Sequence, residues 1–211
     1  QATDRLLLVA HWDTRPWADE DPDEANHKRA LDGANDGGSG VGVLLEIARQ
    51  MGKKAPSRGV DILLVDAEDR GASNDDDSWA LGAQYFVNNP FKPGYSPSEV
   101  ILLDMVGGRG AKFRYEQFSA SEAPDLMQRI WTLAEQSGYG DVFLQEPGGA
   151  INDDHIHFLG AGIPAIDIIE FDPQAGFNPT WHTMADRMDA IDKASLKAAG
   201  QVVTNYIYPP K

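Results

Sequence analysis

An α/β fold with a mostly parallel central sheet flanked by helices is what this sequence predicts, on three observations. Apolar runs of strand length near residues 5, 60, 99 and 164 alternate with helical apolar patterns near residues 41, 79, 125 and 194. The runs are near-continuous Val, Ile and Leu, as expected of parallel strands buried on both faces. Each dense cluster of Asp, Glu and His falls just after one of these runs or inside it, where open α/β sheets carry their sites. With 211 residues and 42% hydrophobic content, residues 1–211 are expected to form a single domain.

Arg5 to Ala10 reads as the first buried strand and runs into His11-Trp12-Asp13-Thr14. Arg15 to Leu31, with Pro16, Pro22 and the acidic run Asp19 to Glu24, has neither a helical nor a strand period and reads as a long loop. Asp32 to Gly40 is a glycine-rich turn feeding an amphipathic helix from about Val41 to Met51, with Val41, Leu44, Leu45, Ala48 and Met51 on one face. The turn lacks the Lys of a P-loop and the full GxGxxG order, and Asp32 and Asp36 would repel phosphate. Acids in a close-packed glycine turn suit a cation instead.

Val60 to Gly71 is the stretch on which the reading turns. Ile62 to Val65 reads as a strand buried on both faces, and it ends in Asp66, Glu68 and Asp69. Glu68 and Asp69 are expected to divide proton transfer and metal binding, and Asp66 to be structural. Asp75, Asp76 and Asp77 read as a solvated loop tip, since their spacing is not that of an EF-hand. Trp79 to Val87 reads as a helix that stops before Asn88-Asn89-Pro90. Glu99 to Val106 reads as a strand with Asp104 inside its apolar run, so that carboxylate must be neutral, paired or on a metal. Lys112 to Gln117 alternates as a short strand, and Asp125 to Gln136, introduced by Ala123-Pro124, carries Leu126, Ile130, Leu133 and Ala134 on one helical face. Beyond Gly148-Gly149, the segment Ile151 to Phe158 places Asp153, Asp154, His155 and His157 within five residues. A strand from Pro164 through Ile169, a loop ending in Trp181-His182-Thr183-Met184, and a closing helix over Ala194 to Tyr206 complete the chain.

Composition narrows the chemistry. Acids outnumber bases 33 to 18, a formal charge of −15, and a field of that sign repels phosphate backbones, so nucleic acid is not an expected partner. A substrate with a free ammonium group suits it better, alongside the commoner use of acidic surface for solubility. The longest apolar runs are about five or six residues, well short of the roughly 18 to 20 of a membrane span. Residue 1 is Gln and no basic, apolar leader precedes Leu6, so any targeting signal was removed or lies outside this sequence. Without cysteine, a metal would be held by His, Asp and Glu.

Collected together, His11, Asp36, Glu68, Asp69, Asp104, Asp153 and His182 would form one site with up to five carboxylates. Like charges so close cannot all ionise alone: protons are shared or a dication sits among them. Zinc held by Asp, by Asp or Glu, and by His, with an open fourth position to polarise a carbonyl or activate a water, is the expected cofactor.

The patterns His11-x-Asp13, Asp36 in a glycine turn, Ala67-Glu68-Asp69, Asp104 on a strand, Asp154-His155 followed by Gly162-Ile163-Pro164, and His182-Thr183 resemble the zinc exopeptidase superfamily of aminopeptidases. Within it, two details are similar to the glutaminyl cyclases, which convert N-terminal glutamine to pyroglutamate. Asn152-Asp153-Asp154-His155-Ile156 stands where aminopeptidases usually have a Ser before a single Asp-His, and Trp181 where they usually have Tyr. The insert around Trp17 to Leu31 and the absence of Cys are similar to bacterial members of the Bacteroidetes kind.

The resemblance implies a zinc exopeptidase-like sandwich acting as a glutaminyl-peptide cyclotransferase on peptides and proteins with N-terminal glutamine, with glutamate as a further candidate. It implies one zinc per chain on Asp36, Asp69 and His182. Glu68 would take a proton from the substrate α-amine, which attacks the side-chain amide carbon, and pass it to the departing ammonia. Asp104 and Asp153 match buried acids that the cyclases hydrogen-bond together, and Ile151, Phe177 and Trp181 match positions lining the glutamine pocket. A monomer in the periplasm or secreted is the corresponding expectation. Four features differ from the family pattern. Asp69 stands where animal cyclases have Glu, and His157 where the cyclases usually have Pro, which makes it a surface or supporting residue. The acidic loop Ser73 to Asp77 replaces a Trp-bearing loop, and the helices and antiparallel strand pair usual before the strand at Leu6 do not stand in this sequence, as expected of a fragment, a processed chain or a reduced version.

A two-zinc aminopeptidase, with His11, Asp36, Asp69, Asp104 and His182 all as ligands, fits the same residue types. Asp153 and Trp181 favour the cyclase. A non-catalytic binding module on the same scaffold is the third reading, against which stands Glu68 beside a complete ligand set. Of the remaining residues, His155 is expected to be a structural partner for a neighbouring carboxylate and His27 to be exposed. Trp12, Trp17 and Trp131 are expected to pack.

Overall fold

The computed structural model describes residues 4–209. Four strands, β1 (Arg5–His11), β2 (Gly59–Val65), β3 (Glu99–Leu103) and β6 (Ala165–Ile168), form a wholly parallel sheet in the order β2-β1-β3-β6. β1 is central: Leu6 stands opposite Val60 on one side and Glu99 on the other. The chain passes from β1 through α1 (Gly38–Lys53) to β2 on one flank, then through α2 (Leu81–Asn88) back across to β3 on the other. The direction of winding therefore reverses at β1, so the carboxyl ends of β1 and β3 flank the switch point, where open α/β sheets place their sites.

Alternation along β1 divides the core. Leu6, Leu8 and Ala10 face α1, α4 (Pro124–Gln136) and α6 (Lys193–Ile207), packing with Leu44, Ile47, Ile130, Trp131, Val202 and Val203. Leu7 and Val9 face the opposite layer, where Ala83 of α2 and Phe158 of α5 (His155–Gly160) close the second core. Trp131 satisfies its indole N–H on the Leu144 carbonyl at 3.0 Å, which lets so large a ring be buried. The remaining elements frame one end of the sheet: β4 (Phe113–Tyr115) paired in parallel with β5 (Phe143–Pro147), α3 (Gln117–Glu122), and a hairpin of β7 (Phe171–Asp172) and β8 (Gly176–Phe177).

Several expectations need correction. β2 is an edge strand of the parallel sheet, not one buried on both faces; Leu64 is 39% exposed, because alternate residues of an edge strand need not meet a second layer. The strand carrying Asp104 ends at Leu103, which puts the acid just past the last ladder residue. α1 begins at Gly38, earlier than Val41, and α2 begins at Leu81, after a short 3-10 turn over Asp76–Ser78. Trp12 is 60% exposed and Trp17 38% exposed, so neither is a packing residue, whereas Trp131 is. His27 is half-buried, its Nε2 2.7 Å from the Asp21 carbonyl oxygen. α3, β5 and the β7–β8 hairpin had no sequence expectation.

Candidate functional site

Every strand of the parallel sheet delivers polar groups at its carboxyl end. His11 closes β1, with Asp13 two residues on; Glu68 and Asp69 follow β2, and Asp104 follows β3. Asp36 arrives from the turn before α1, and glycine makes that approach possible. A Cβ on Gly37, at φ +79°, would lie 2.4 Å from the Asp13 carbonyl oxygen, and one on Gly40 would lie 2.1 Å from that of Leu103. Only glycines let this turn press against β1 and β3.

The outer cluster is organised around Asp36, whose two oxygens face different imidazoles. Oδ1 lies 3.2 Å from His11 Nε2, and Oδ2 lies 3.4 Å from His182 Nε2. His11 Nε2 also meets Asp104 Oδ1 at 3.0 Å, and His182 Nε2 meets Asp69 Oδ1 at 3.0 Å. Glu68, Asp69, Asp104, Asp36, His11 and His182 are all buried. Two further carboxylates fix this constellation through the backbone. Asp13 accepts from the Glu68 amide at 3.1 Å and the Asp69 amide at 3.2 Å. Asp186 accepts from the Asn35 amide at 2.7 Å and the Asp36 amide at 3.1 Å. Arg15 donates to the carbonyls of Asp69 and Gly71, each at 2.7 Å, and holds Asp19, whose Oδ1 stands 3.7 Å from His182 Nδ1.

Backbone strain gathers at the same place. Among the described residues, Ala67, Ala80, Met105 and His182 are the non-glycine positions in the left-handed region, at φ +57°, +52°, +45° and +52°. Ala67 precedes Glu68, Met105 follows Asp104, and the Ala80 amide donates to the Glu68 carbonyl at 3.1 Å. Each such conformation costs about 1–3 kcal/mol and persists only where the surroundings over-determine it.

With protons as the only cations in the cluster, its titrations diverge. Burial, then the charges of Asp69 and Asp153, push the Glu68 carboxyl well above its ordinary range. Burial and the Asp36 charge push Asp69 up to about 6. Burial would raise Asp36 too, but the His11 and His182 imidazoles facing its two oxygens outweigh it and hold Asp36 below the usual carboxylate range. For His182 burial acts downward, and its bonds with Asp36 and Asp69 prevail, lifting it to about 9. A dication fits this donor set. Asp36 Oδ2 and Asp69 Oδ2 are buried without a hydrogen-bond partner, and His11, Asp36 and Asp69 offer ligand atoms within 4.8 Å of one another.

A cavity of about 50 Å³ opens on this cluster, room for only a few water-sized groups. Asp36, Glu68, Asp69, Asp104, Ile151, Asp153, Phe177, Trp181 and His182 all line it, so the predicted site residues are brought together. Trp181 stacks on His182 with centroids 3.9 Å apart, and Phe177 stacks on Trp181 at 4.5 Å. A larger groove of about 780 Å³ between α1 and α6 holds no acid–His cluster, so size and chemistry point to different places.

Behind the cavity lies an inner cluster. His155 Nε2 bonds Glu116 Oε2 at 2.9 Å, which makes it the structural partner of a carboxylate that was expected. Glu116 also accepts from the amides of Phe118, Ser119 and Ile151. Asp153, His155 and Asp167 again place ligand-type atoms within 4.8 Å. Asp66 is exposed and stands outside both clusters, and His157 is half-buried beyond them.

Sequence reasoning missed Trp79, Asp19, Asp186, Glu116 and Asp167. Trp79 lines the cavity, parallel to His182 at 6.4 Å and beneath the Arg15 guanidinium at 5.0 Å, so an aromatic stands at the rim just after the acidic loop. Its place after the acidic loop, ahead of the helix, was the available signal. Asp167 carried the signal that marked Asp104, an acid inside the apolar run Ala165-Ile166-Asp167-Ile168; Glu116 gave none.

The sequence profile of peptidase family M28 matches residues 1–207. A crystal structure of glutaminyl cyclase from Bacteroides thetaiotaomicron bound to N-acetylhistamine is 49% identical, with a TM-score of 0.96, over 100% of this chain and 75% of that one. A Zn-dependent exopeptidase from Parabacteroides distasonis is 49% identical, with a TM-score of 0.95, over 100% and 75% of the two chains. Aminopeptidase YwaD of Bacillus subtilis is 29% identical over 97% of this chain, which spans 41% of that relative's length.

Proposed function

From its membership of peptidase family M28, to which this chain belongs, we propose that the protein cyclises N-terminal glutamine of peptides to pyroglutamate and releases ammonia. The observation that carries this reading is that Asp153 and Trp181, the positions that separate cyclases from aminopeptidases in sequence, line the same small cavity as the acid–His cluster. A cavity of about 50 Å³ suits a side-chain amide and excludes bulk water, which favours attack by the substrate's own amine over hydrolysis.

In this reading Asp36, Asp69 and His182 hold one zinc. Bound there, zinc supplies Lewis-acid polarisation of a carbonyl. Glu68 takes the proton of the α-amine and returns it to the leaving ammonia, and the environment that raises its carboxyl suits a group that must both accept and give a proton near neutral pH. Asp104 and Asp153 form the acidic wall of the cavity, and Ile151, Phe177 and Trp181 form its apolar wall. Ring closure makes the C–N bond between the α-nitrogen and the δ-carbon and breaks the bond from that carbon to the amide nitrogen.

One observation favours a second reading. Asp36 divides its oxygens between His11 and His182, and Asp104 meets His11, so that His11, Asp36, Asp69, Asp104 and His182 would together hold two metal ions, as in a two-zinc aminopeptidase. The two readings separate in one experiment. Zinc-loaded protein is given a glutaminyl peptide and a leucyl anilide. Ammonia release without free amino acid supports cyclisation, and cleavage of the anilide assigns the site to the peptidase.

A further inference from the structure

The cyclisation reading leaves two fully buried acids without work, Asp154 and Asp167. Asp167, in β6, is 0% exposed, and neither of its carboxyl oxygens has a hydrogen-bond partner. Asp153 has the matching deficit: its Oδ1 accepts from the Asp154 amide at 2.5 Å, while its Oδ2 is buried and unpartnered. Asp153 lines the cavity and Asp167 does not, so Asp167 stands directly behind a wall of the site.

The groups facing Asp167 are Asp153 and His155 from the start of α5, Asp104 from the end of β3, and Glu116 from the start of α3, with Ser119 Oγ accepting from the Asp167 amide at 3.0 Å. The one imidazole among them is already engaged. Its Nε2 is on Glu116 and its Nδ1 is 3.9 Å from Asp167 Oδ2, too far for a hydrogen bond. Asp153 and Asp167, by contrast, bring carboxyl oxygens within 4.8 Å of each other, and Asp153 Oδ2 and both Asp167 oxygens lack any other hydrogen-bond partner. Two buried carboxylates at that separation cannot both be ionised, and one proton between them relieves the repulsion and satisfies an orphaned oxygen on each. A cation among Asp153, His155 and Asp167 would meet the same charge deficit. Orphaned oxygens on neighbouring carboxyls and a retracted imidazole favour the proton.

We propose that Asp167 is a positioning residue: it keeps its proton and donates it to Asp153 Oδ2, fixing the orientation of the Asp153 carboxylate in the cavity wall. The part that concerns cyclisation rests on the reading above. Burial first, and then the charges of Asp153, Asp104 and Glu116, push the Asp167 carboxyl well above its ordinary range, in keeping with a group that stays neutral.

Two variants of the zinc-loaded protein test this. Asp167→Asn keeps the shape and a donor; Asp167→Leu keeps the volume and removes the donor. The Asn variant is expected within about threefold of the parent in kcat/KM, and the Leu variant to lose about tenfold or more, mainly in kcat, with the acid limb of its pH profile moved upward. The infrared carbonyl band of a buried protonated carboxyl is expected in the parent and lost in Asp167→Asn. An Asn variant as impaired as the Leu variant, a Leu variant as active as the parent, an unchanged carboxyl band, or a metal equivalent bound by the parent and lost from Asp167→Asn would each overturn the proposal. If the parent releases no ammonia from a glutaminyl peptide, the cyclase reading fails by itself, and the infrared band still decides whether Asp167 carries the proton.

Discussion

The outer and inner clusters are built from the same parts, and their contrast shows what decides the use of a buried carboxylate. Each sets acids and imidazole within 4.8 Å, buried from solvent. In the outer cluster two imidazoles serve Asp36, Asp69 and Asp104, and the backbone behind Glu68, Asp69 and Asp36 is clamped by Asp13 and Asp186. In the inner cluster one imidazole is spent on Glu116, while Asp153 Oδ2 and both Asp167 oxygens have no hydrogen-bond partner. The outer cluster lines a cavity, and of the inner one only Asp153 reaches that wall. In the proposed reading, the ratio of imidazole to carboxyl and access to a cavity, more than residue type, separate the metal-and-substrate site from the proton-sharing support.

The sharpest way to break this contrast is to remove the proton carrier. Glu68→Gln is expected to lower kcat/KM for ammonia release by about 10²–10⁴-fold while zinc stays bound. Near-parental turnover with full metal content would mean that the outer cluster is not where the proton moves. Metal removal comes next. A chelator is expected to abolish ammonia release and zinc to restore it, with one equivalent per chain by elemental analysis. Two equivalents would favour the two-zinc peptidase reading instead. The clamps should matter less than the ligands: Asp13→Ala and Asp186→Ala are each expected to weaken zinc binding by about 10–100-fold, read by competition with a chromophoric chelator.

A smaller effect probes the inner cluster through pH. Burial would raise Glu116, but the hydrogen bond and charge of His155 and the bonds from Ser119 prevail, holding it at about 2 against an ordinary value of 4.5. Because the folded value is the lower, the stabilisation is complete above pH 4.5 and is lost as pH falls toward 2. Glu116→Gln should therefore lower Tm at neutral pH, by about 2–4 °C for each kcal/mol of interaction lost, and flatten its decline across that window. A variant whose Tm tracks the parent through the acid range would show that Glu116 and His155 are not coupled. Smallest of all, Trp79→Phe is expected to raise KM only about two- to fivefold, since a stacked rim residue shapes binding more than chemistry.

Local pattern was enough for much of this molecule. The alternation of apolar runs and helical faces predicted the parallel sheet, because each strand must be covered on both sides and its composition records that. The glycines before α1 announced a close backbone approach, and the acids that follow β1, β2 and β3 marked the carboxyl end of the sheet as the place for chemistry. Other features depended on which segments meet. β2 reads as central from its composition and lies at the edge of the parallel sheet, since strand order is set by the crossover connections and not by any residue of the strand. Trp12 and Trp17 read as packing residues and face solvent, because a loop residue is covered only if another element arrives. The division of Asp36 between two imidazoles, the backbone clamps of Asp13 and Asp186, and the bond of His155 to Glu116 join positions far apart in the chain. Spacing along a sequence carries the period of one element; the charge balance of a buried cluster belongs to all the elements that meet there, and only the folded chain sets it.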